Sequence, residues 1–122
     1  MAYDERLAAR VREALRGVRQ VETKRMFGGL TFMVRGKMCV SVGPARIMCR
    51  IDPAGHDAAV RRPCARTVKM KGRAYRGFVH VSAAAVATKR ALDSWVRLAL
   101  AYNRRARATR VKTRRSSSTT RR

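Results

Sequence analysis

Cys39, Cys49, Cys64, His56 and His80 are the residues of this chain that could ligate a soft metal or pair as nucleophile and base. A zinc site needs ligands that one short turn or one helix face brings together, in C-x₂₋₄-C or H-x₃₋₅-H spacing. None of the five stands at such a distance from another, so no metal site is expected. Cys39 and Cys49 flank the turn Gly43-Pro44-Ala45. Closed symmetrically, that turn sets them opposite each other on adjacent strands, with Cβ atoms about 4.5–5.5 Å apart. The sharp reading is a redox-sensitive pair; the plain one is two small core residues. Acid–base catalysis needs paired, positioned carboxylates. Asp4, Glu5 and Glu13 fall on the outer part of a terminal helix, and Asp52 and Asp57 flank an Asp-Pro turn. No two acids converge on a cleft, so the expectation is a non-enzymatic chain without a cofactor.

The basic residues make a more substantial chemical surface. Thirty Lys and Arg against seven acids give a net charge of +23 over 122 residues. Nine of the thirty lie in residues 104–122, which hold no acid: Arg104, Arg105, Arg107, Arg110, Lys112, Arg114, Arg115, Arg121 and Arg122. Residues 1–103 keep 21 bases against all seven acids, so that part is itself near +14. Such a chain attracts polyanions, nucleic acid before anionic membrane. Residues 104–122 should hold phosphates without reading sequence, and phosphorylation at Ser116 to Thr120 would weaken that. Lys69, Lys71, Arg73 and Arg76 gather around one hairpin tip with Tyr75 among them, a pattern that can hold phosphates and stack a base. A solvated hairpin in an arginine-rich protein has the same composition. The preference for Arg and Ala over Lys and Ile also raises basicity with no binding role.

These groups need a scaffold. Asp4 to about Arg16 reads as a helix capped by Asp4, with Leu7, Ala8, Val11, Ala14, Leu15 and Val18 on one stripe. Arg6, Arg10, Arg12, Arg16 and Arg19 give it a basic outer side. Strands follow at Val21–Phe27, Leu30–Val34, Met38–Val42 and Arg46–Ile51, joined by turns short enough for an antiparallel meander. Gly28-Gly29 reads as a sheet corner or bulge. It is not a phosphate loop, because a strand rather than a helix follows it. After Asp52-Pro53 comes a short helix, His56–Arg62, then strands at Arg66–Met70 and Ala74–Val81. In the last strand, alternation puts Tyr75 with Gly77, Val79 and Val81. Ser82 and Thr88 are candidate caps. A long helix runs from Thr88 to about Arg105, with Leu92, Trp95, Val96, Ala99 and Leu100 apolar and Asp93–Arg97 as an i, i+4 pair. Residues 104–122 have too few apolar side chains for a core and read as a disordered basic tail to a domain of residues 1–103. No apolar run approaches the ~20 residues of a membrane span, and the N-terminus has no secretory apolar region. The chain is expected to be cytoplasmic, with free thiols.

Arg25-Met26-Phe27-Gly28-Gly29-Leu30-x-Phe32-Met33-Val34-x-Gly36-x-Met38-Cys39 resembles the signature of the TfoX N-terminal domain. Tyr3-Asp4-Glu5-Arg6-Leu7, Tyr75-x-Gly77-Phe78-Val79-x-Val81 and Leu92-x-x-Trp95-Val96-x-x-Ala99-Leu100 fit the same family, in order, over residues 3–103. The resemblance implies a two-layer α+β domain. The element pattern points independently to α+β, with five to six antiparallel strands packed against N- and C-terminal helices. The resemblance also implies a regulator of natural competence, in which transcription is activated together with the cyclic-AMP receptor protein, and it carries no catalytic residue or cofactor. Longer competence regulators add a helical C-terminal domain where this chain has its basic segment. The expected function is therefore regulation through protein contacts, with electrostatic nucleic-acid binding by the tail. The alternatives are a small-molecule-binding or enzymatic α+β domain, for which a polar pocket near Phe27–Leu30 would speak, and a histone-like protein that coats any duplex.

Overall fold

The computed structural model describes residues 3–26 and 28–106. Helix α1 spans Glu5–Ala14, followed by strands β1 Val21–Met26, β2 Gly29–Val34, β3 Lys37–Val42 and β4 Arg46–Arg50. Helix α2 is His56–Val60, β5 is Ala65–Met70, β6 is Arg73–Ser82 and helix α3 is Lys89–Asn103. The six strands form one antiparallel sheet in the order β1-β2-β3-β4-β6-β5. The first four make the expected meander. The chain then leaves the sheet through α2, and β6 returns between β4 and β5. This is an α+β fold, and the strand boundaries fall within two residues of those read from the pattern.

Caps start the helices where the sequence marks them. The Asp4 carboxylate accepts from the Arg6 and Leu7 amides at 2.9 and 3.1 Å. Thr88 Oγ1 accepts from Ala91 N at 3.1 Å. Asp52 caps the 3-10 turn Pro53–Gly55, and Ser82 caps the 3-10 turn Ala83–Val86. Each cap satisfies an amide that the helix leaves without a partner. The helices bury Leu7, Val11, Leu92, Trp95 and Val96 against one sheet face, where Phe32, Val34, Val40, Val42, Ile47, Cys49, Val79 and Val81 meet them. A smaller cluster of Met33, Met38, Met48 and Val68 forms a second packing centre, with Met26 and Phe78 against it. Every residue of β2 is buried.

Two bulges reset the alternation. Phe32 pairs with Val40 and Met33 with Met38, which leaves Cys39 as the extra residue of β3. Between β5 and β6, Thr67 pairs with Val79 but Val68 with Tyr75. Gly77 sits in that interval at φ +91°, where a Cβ would lie 3.2 Å from both the Ile51 carbonyl and the Pro53 ring. His56, 3% exposed, accepts the Gly77 amide on Nδ1 at 2.9 Å, so its Nε2 carries the proton and donates to Thr67 Oγ1 at 2.7 Å. The bulge corrects the expected alternation: Tyr75 lies edge-on to the Phe78 ring, 6.4 Å between centroids, rather than on the side of Val79 and Val81. The helix pair differs too, since Asp93 joins Lys89 at 2.7 Å instead of Arg97.

The Gly28-Gly29 corner is structural. A Cβ on Gly29 would collide with the Val42 carbonyl oxygen, whereas one on Gly28 would meet nothing within 4 Å, although Gly28 has φ +70°. Gly29→Ala should therefore cost about 3 kcal/mol or more through displaced backbone. Gly28→Ala should cost about 1–2 kcal/mol from conformation alone. Urea unfolding of both variants checks this, and equal losses would refute the close contact as the reason for Gly29.

Candidate nucleic-acid interface

The basic residues divide into those the fold has already engaged and those it leaves facing solvent. On α1, Arg10 donates to the Val86 carbonyl at 2.7 Å, Arg12 lies 5.4 Å from the Phe32 ring centroid, and Arg16 pairs with Glu13 at 2.8 Å. Arg62 stacks 4.0 Å over Trp95 and bonds Ser94 Oγ at 3.0 Å. Three of the five arginines expected to form a basic outer face are thus tied down. They act through their stems and planar heads as much as through charge.

The hairpin tip between β5 and β6 presents Lys69, Lys71 and Arg73, all exposed. Its neighbours are less available than the sequence implied. Arg76 is held by Asp57 at 3.1 Å, and Tyr75 packs against Phe78. At the end of α3, Arg104 is exposed, while Arg105 pairs with Asp52 and lies 5.6 Å from the Tyr102 ring. The Arg105 guanidinium bond, after the Ala54 amide, holds the Asp52 carboxyl below its ordinary value, and Arg76 does the same for Asp57. Arg107, Arg110, Lys112, Arg114, Arg115, Arg121 and Arg122 lie outside the described residues. Packing continues past residue 103: Asn103 Nδ2 donates to the Val34 carbonyl at 3.2 Å, and Ala106 is buried.

Of the family-motif residues, Arg25 lies 5.5 Å from the Tyr3 ring centroid, Met26 packs on the methionine cluster and Gly36 completes the β2–β3 turn at φ +75°. Phe27 falls outside the described residues. Beside Gly28 is a hollow of about 250 Å³ bordered by Ser41, Arg46 and His80. Its polar groups are sparse: Ser41 Oγ already accepts from Thr31 Oγ1 at 2.9 Å, and His80 Nδ1 is buried with no hydrogen-bond partner among the described residues. Sequence reasoning missed a different grouping. Arg19, Arg35 and Arg97 join Arg104 around one groove. The seven-residue spacing of Arg97 and Arg104, two helical turns, was the signal that could have linked two of them.

The cysteines do not form the expected opposed pair. Val40, not Cys39, faces Cys49, because the turn closes between Gly43 and Arg46 around Pro44-Ala45 rather than symmetrically about Pro44. Both thiols are buried, whereas Cys64 is exposed. Burial pushes the Cys39 thiol up to about 12, and it raises Cys49 further, with Cys39 adding to the effect. Among the described residues no three His, Cys, Asp or Glu side chains gather as a metal site, and no helix is long and apolar enough to cross a membrane.

One thiol per chain should react with Ellman's reagent at neutral pH, and it should vanish in Cys64→Ser; the other two should appear only on unfolding. Two thiols consumed on mild oxidation of native monomer would contradict this. A second expectation concerns pH. Burial, then Arg46, lowers the His80 imidazole below its ordinary 6.5. The unfolded chain therefore binds that proton more tightly, so His80's stability contribution is full above 6.5 and is lost as pH falls below it. Asp52 and Asp57 act only below their ordinary 3.8. The Tm drop from about pH 7.5 to about pH 5 should be smaller in His80→Gln than in the parent protein. An unchanged drop would remove His80 as its source.

Comparison with known proteins completes the picture. The TfoX N-terminal domain profile matches residues 13–102, from the end of α1 through α3. No curated protein and no solved structure gives a match. The matched stretch contains the whole sheet, both bulges and the glycine corner, and the chain belongs to the TfoX N-terminal domain family.

Proposed function

We propose that this competence-regulator-like domain is a non-enzymatic regulator, working through protein contacts while its basic segment holds nucleic-acid phosphates. The observation that carries the reading is the charge the fold leaves uncompensated. Glu13, Asp52, Asp57 and Asp93 are each held by a base, and Asp4 is held by amides. With these acids engaged, Lys69, Lys71, Arg73 and Arg104 stand exposed with no ion pair among the described residues, which supports electrostatic binding over acid–base chemistry. The last nineteen residues add nine bases and no acid. Phosphate contacts of this kind position a protein on nucleic acid without selecting a sequence. The cytoplasm is the setting we propose, and transcription the process, with a protein partner supplying the specificity.

Removal of the basic segment tests the reading. The cut belongs after Ala106, because Asn103 and Ala106 are part of the packed end of α3. The chain lacking residues 107–122 loses seven bases. It should bind duplex DNA more weakly, and its log–log salt slope should flatten by about 0.9 for each phosphate it no longer neutralises. Fluorescence anisotropy over a salt series measures both. The same affinity and slope as the full chain would overturn the segment's role.

A further inference from the structure

The groove beside the end of α3 is a concentrated positive concavity of the described fold. It encloses about 720 Å³ and is edged by Arg19, Arg35, Arg97 and Arg104, with no acid in its lining among the described residues. The four arginines come from three parts of the chain: the segment after α1, the β2–β3 turn and α3. Val18, Leu100 and Ala101 give it an apolar floor. None of the four guanidinium groups has an ion pair or side-chain hydrogen bond within the described residues. Asp93, the acid four residues before Arg97, is held by Lys89 instead. The carbonyl end of α3, which would repel an anion, already meets a cation, since Lys37 Nζ donates to the Asn103 carbonyl at 2.6 Å.

Local backbone choices at the groove run against propensity. Arg35 sits at φ +53° and precedes Gly36 at φ +75°, the geometry of a two-residue hairpin turn that favours Asn, Asp or Gly at its first position. Its amide bonds the carbonyl of Gln20, itself at φ +59°, which fixes the segment carrying Arg19 against the turn. Lys71 takes the same position before Gly72 in the β5–β6 turn, so the conformation alone marks no site; what sets Arg35 apart is that its side chain joins three other arginines around one groove. The groove's size matches small-ligand sites, and its chemistry is cationic walls over an apolar floor. Guanidinium groups bind phosphates in bidentate fashion.

We infer that this groove binds a compact ligand carrying two or more phosphates on an apolar or aromatic body, the nucleoside polyphosphate class. The site is separate from nucleic-acid binding by residues 107–122; Arg104 is shared between the groove and the bases proposed for phosphate contact, and the test leaves it in place.

The test uses the full chain carrying Arg19→Gln, Arg35→Gln and Arg97→Gln, titrated by calorimetry with ATP, inorganic pyrophosphate and single-stranded DNA of about 20 nucleotides. Salt of about 0.15 M suppresses long-range attraction. A charge-matched control replaces the exposed Arg6, Arg66 and Arg90 by Gln. The groove variant should bind ATP and pyrophosphate at least about tenfold more weakly than the parent, while the control stays within about twofold. Equal losses in both variants, or no ATP binding by the parent, would overturn the site. So would a groove variant that loses only DNA, which would make the groove part of the nucleic-acid interface. Arg35→Asn guards against misfolding as the explanation: Asn suits the turn, so Tm should hold or rise while ATP binding weakens. A Tm that falls along with binding would assign Arg35 a structural role and refute the inference. Unchanged DNA affinity in the groove variant leaves the nucleic-acid reading standing whichever way the nucleotide result falls.

Discussion

At Gly29 the backbone of β2 runs so close to the end of β3 that even a methyl group would strike the Val42 carbonyl. Much of the architecture follows from that approach. It lets β2 enter the sheet directly out of the Gly28 corner, so that all six of its residues are buried and its two faces serve two packing centres. Phe32 and Val34 meet α1 and α3, and Met33 meets Met38 and Met48 on the other cluster. A strand buried on both faces has no tolerant side, and its register is strongly specified.

The second constraint is electrostatic. A domain with three times as many bases as acids has to fold against its own repulsion. It does so by using arginine for more than charge. Arg62 covers Trp95, Arg12 lies over Phe32, Arg25 lies over Tyr3, and Arg10 donates to backbone carbonyls at the turn before α3. The planar, weakly hydrated guanidinium can pack on rings in a way an ammonium does not. Composition alone therefore overstates the binding surface, because many of the cations are structural. Among the exposed cations without an ion pair in the described residues are those at the β5–β6 tip and around the groove at the end of α3.

The polar interior ties the elements to one another. His56 ties α2 to the β6 bulge through Nδ1 and to Thr67 of β5 through Nε2, and Asn103 ties the end of α3 to Val34. Buried polar groups that are satisfied in this way hold elements at one distance and angle, which apolar contacts alone do not. His80 Nδ1 and Asn103 Oδ1 are the exceptions among the described residues, each buried without a partner.

The sequence by itself determined the elements, their caps, the meander and the family. Those rest on local periodicity, on side chains that can cap only an adjacent amide, and on turns too short for any but antiparallel pairing. It also marked the Gly28-Gly29 corner, without revealing that the second glycine answers to a carbonyl thirteen residues away. What only the tertiary structure decided is where pairing departs from regularity and where side chains from distant segments meet. The two-residue turn at Pro44-Ala45 set Val40 rather than Cys39 opposite Cys49, and the β5–β6 bulge turned Tyr75 toward Phe78. Asp93 chose Lys89 over Arg97, and that choice left Arg97 facing Arg19, Arg35 and Arg104 across the groove. Period-two reasoning cannot anticipate an inserted residue, because the bulge is settled by packing on both faces of the sheet. Nor can spacing along the chain bring together three segments that only the closure of the sheet against α3 makes neighbours.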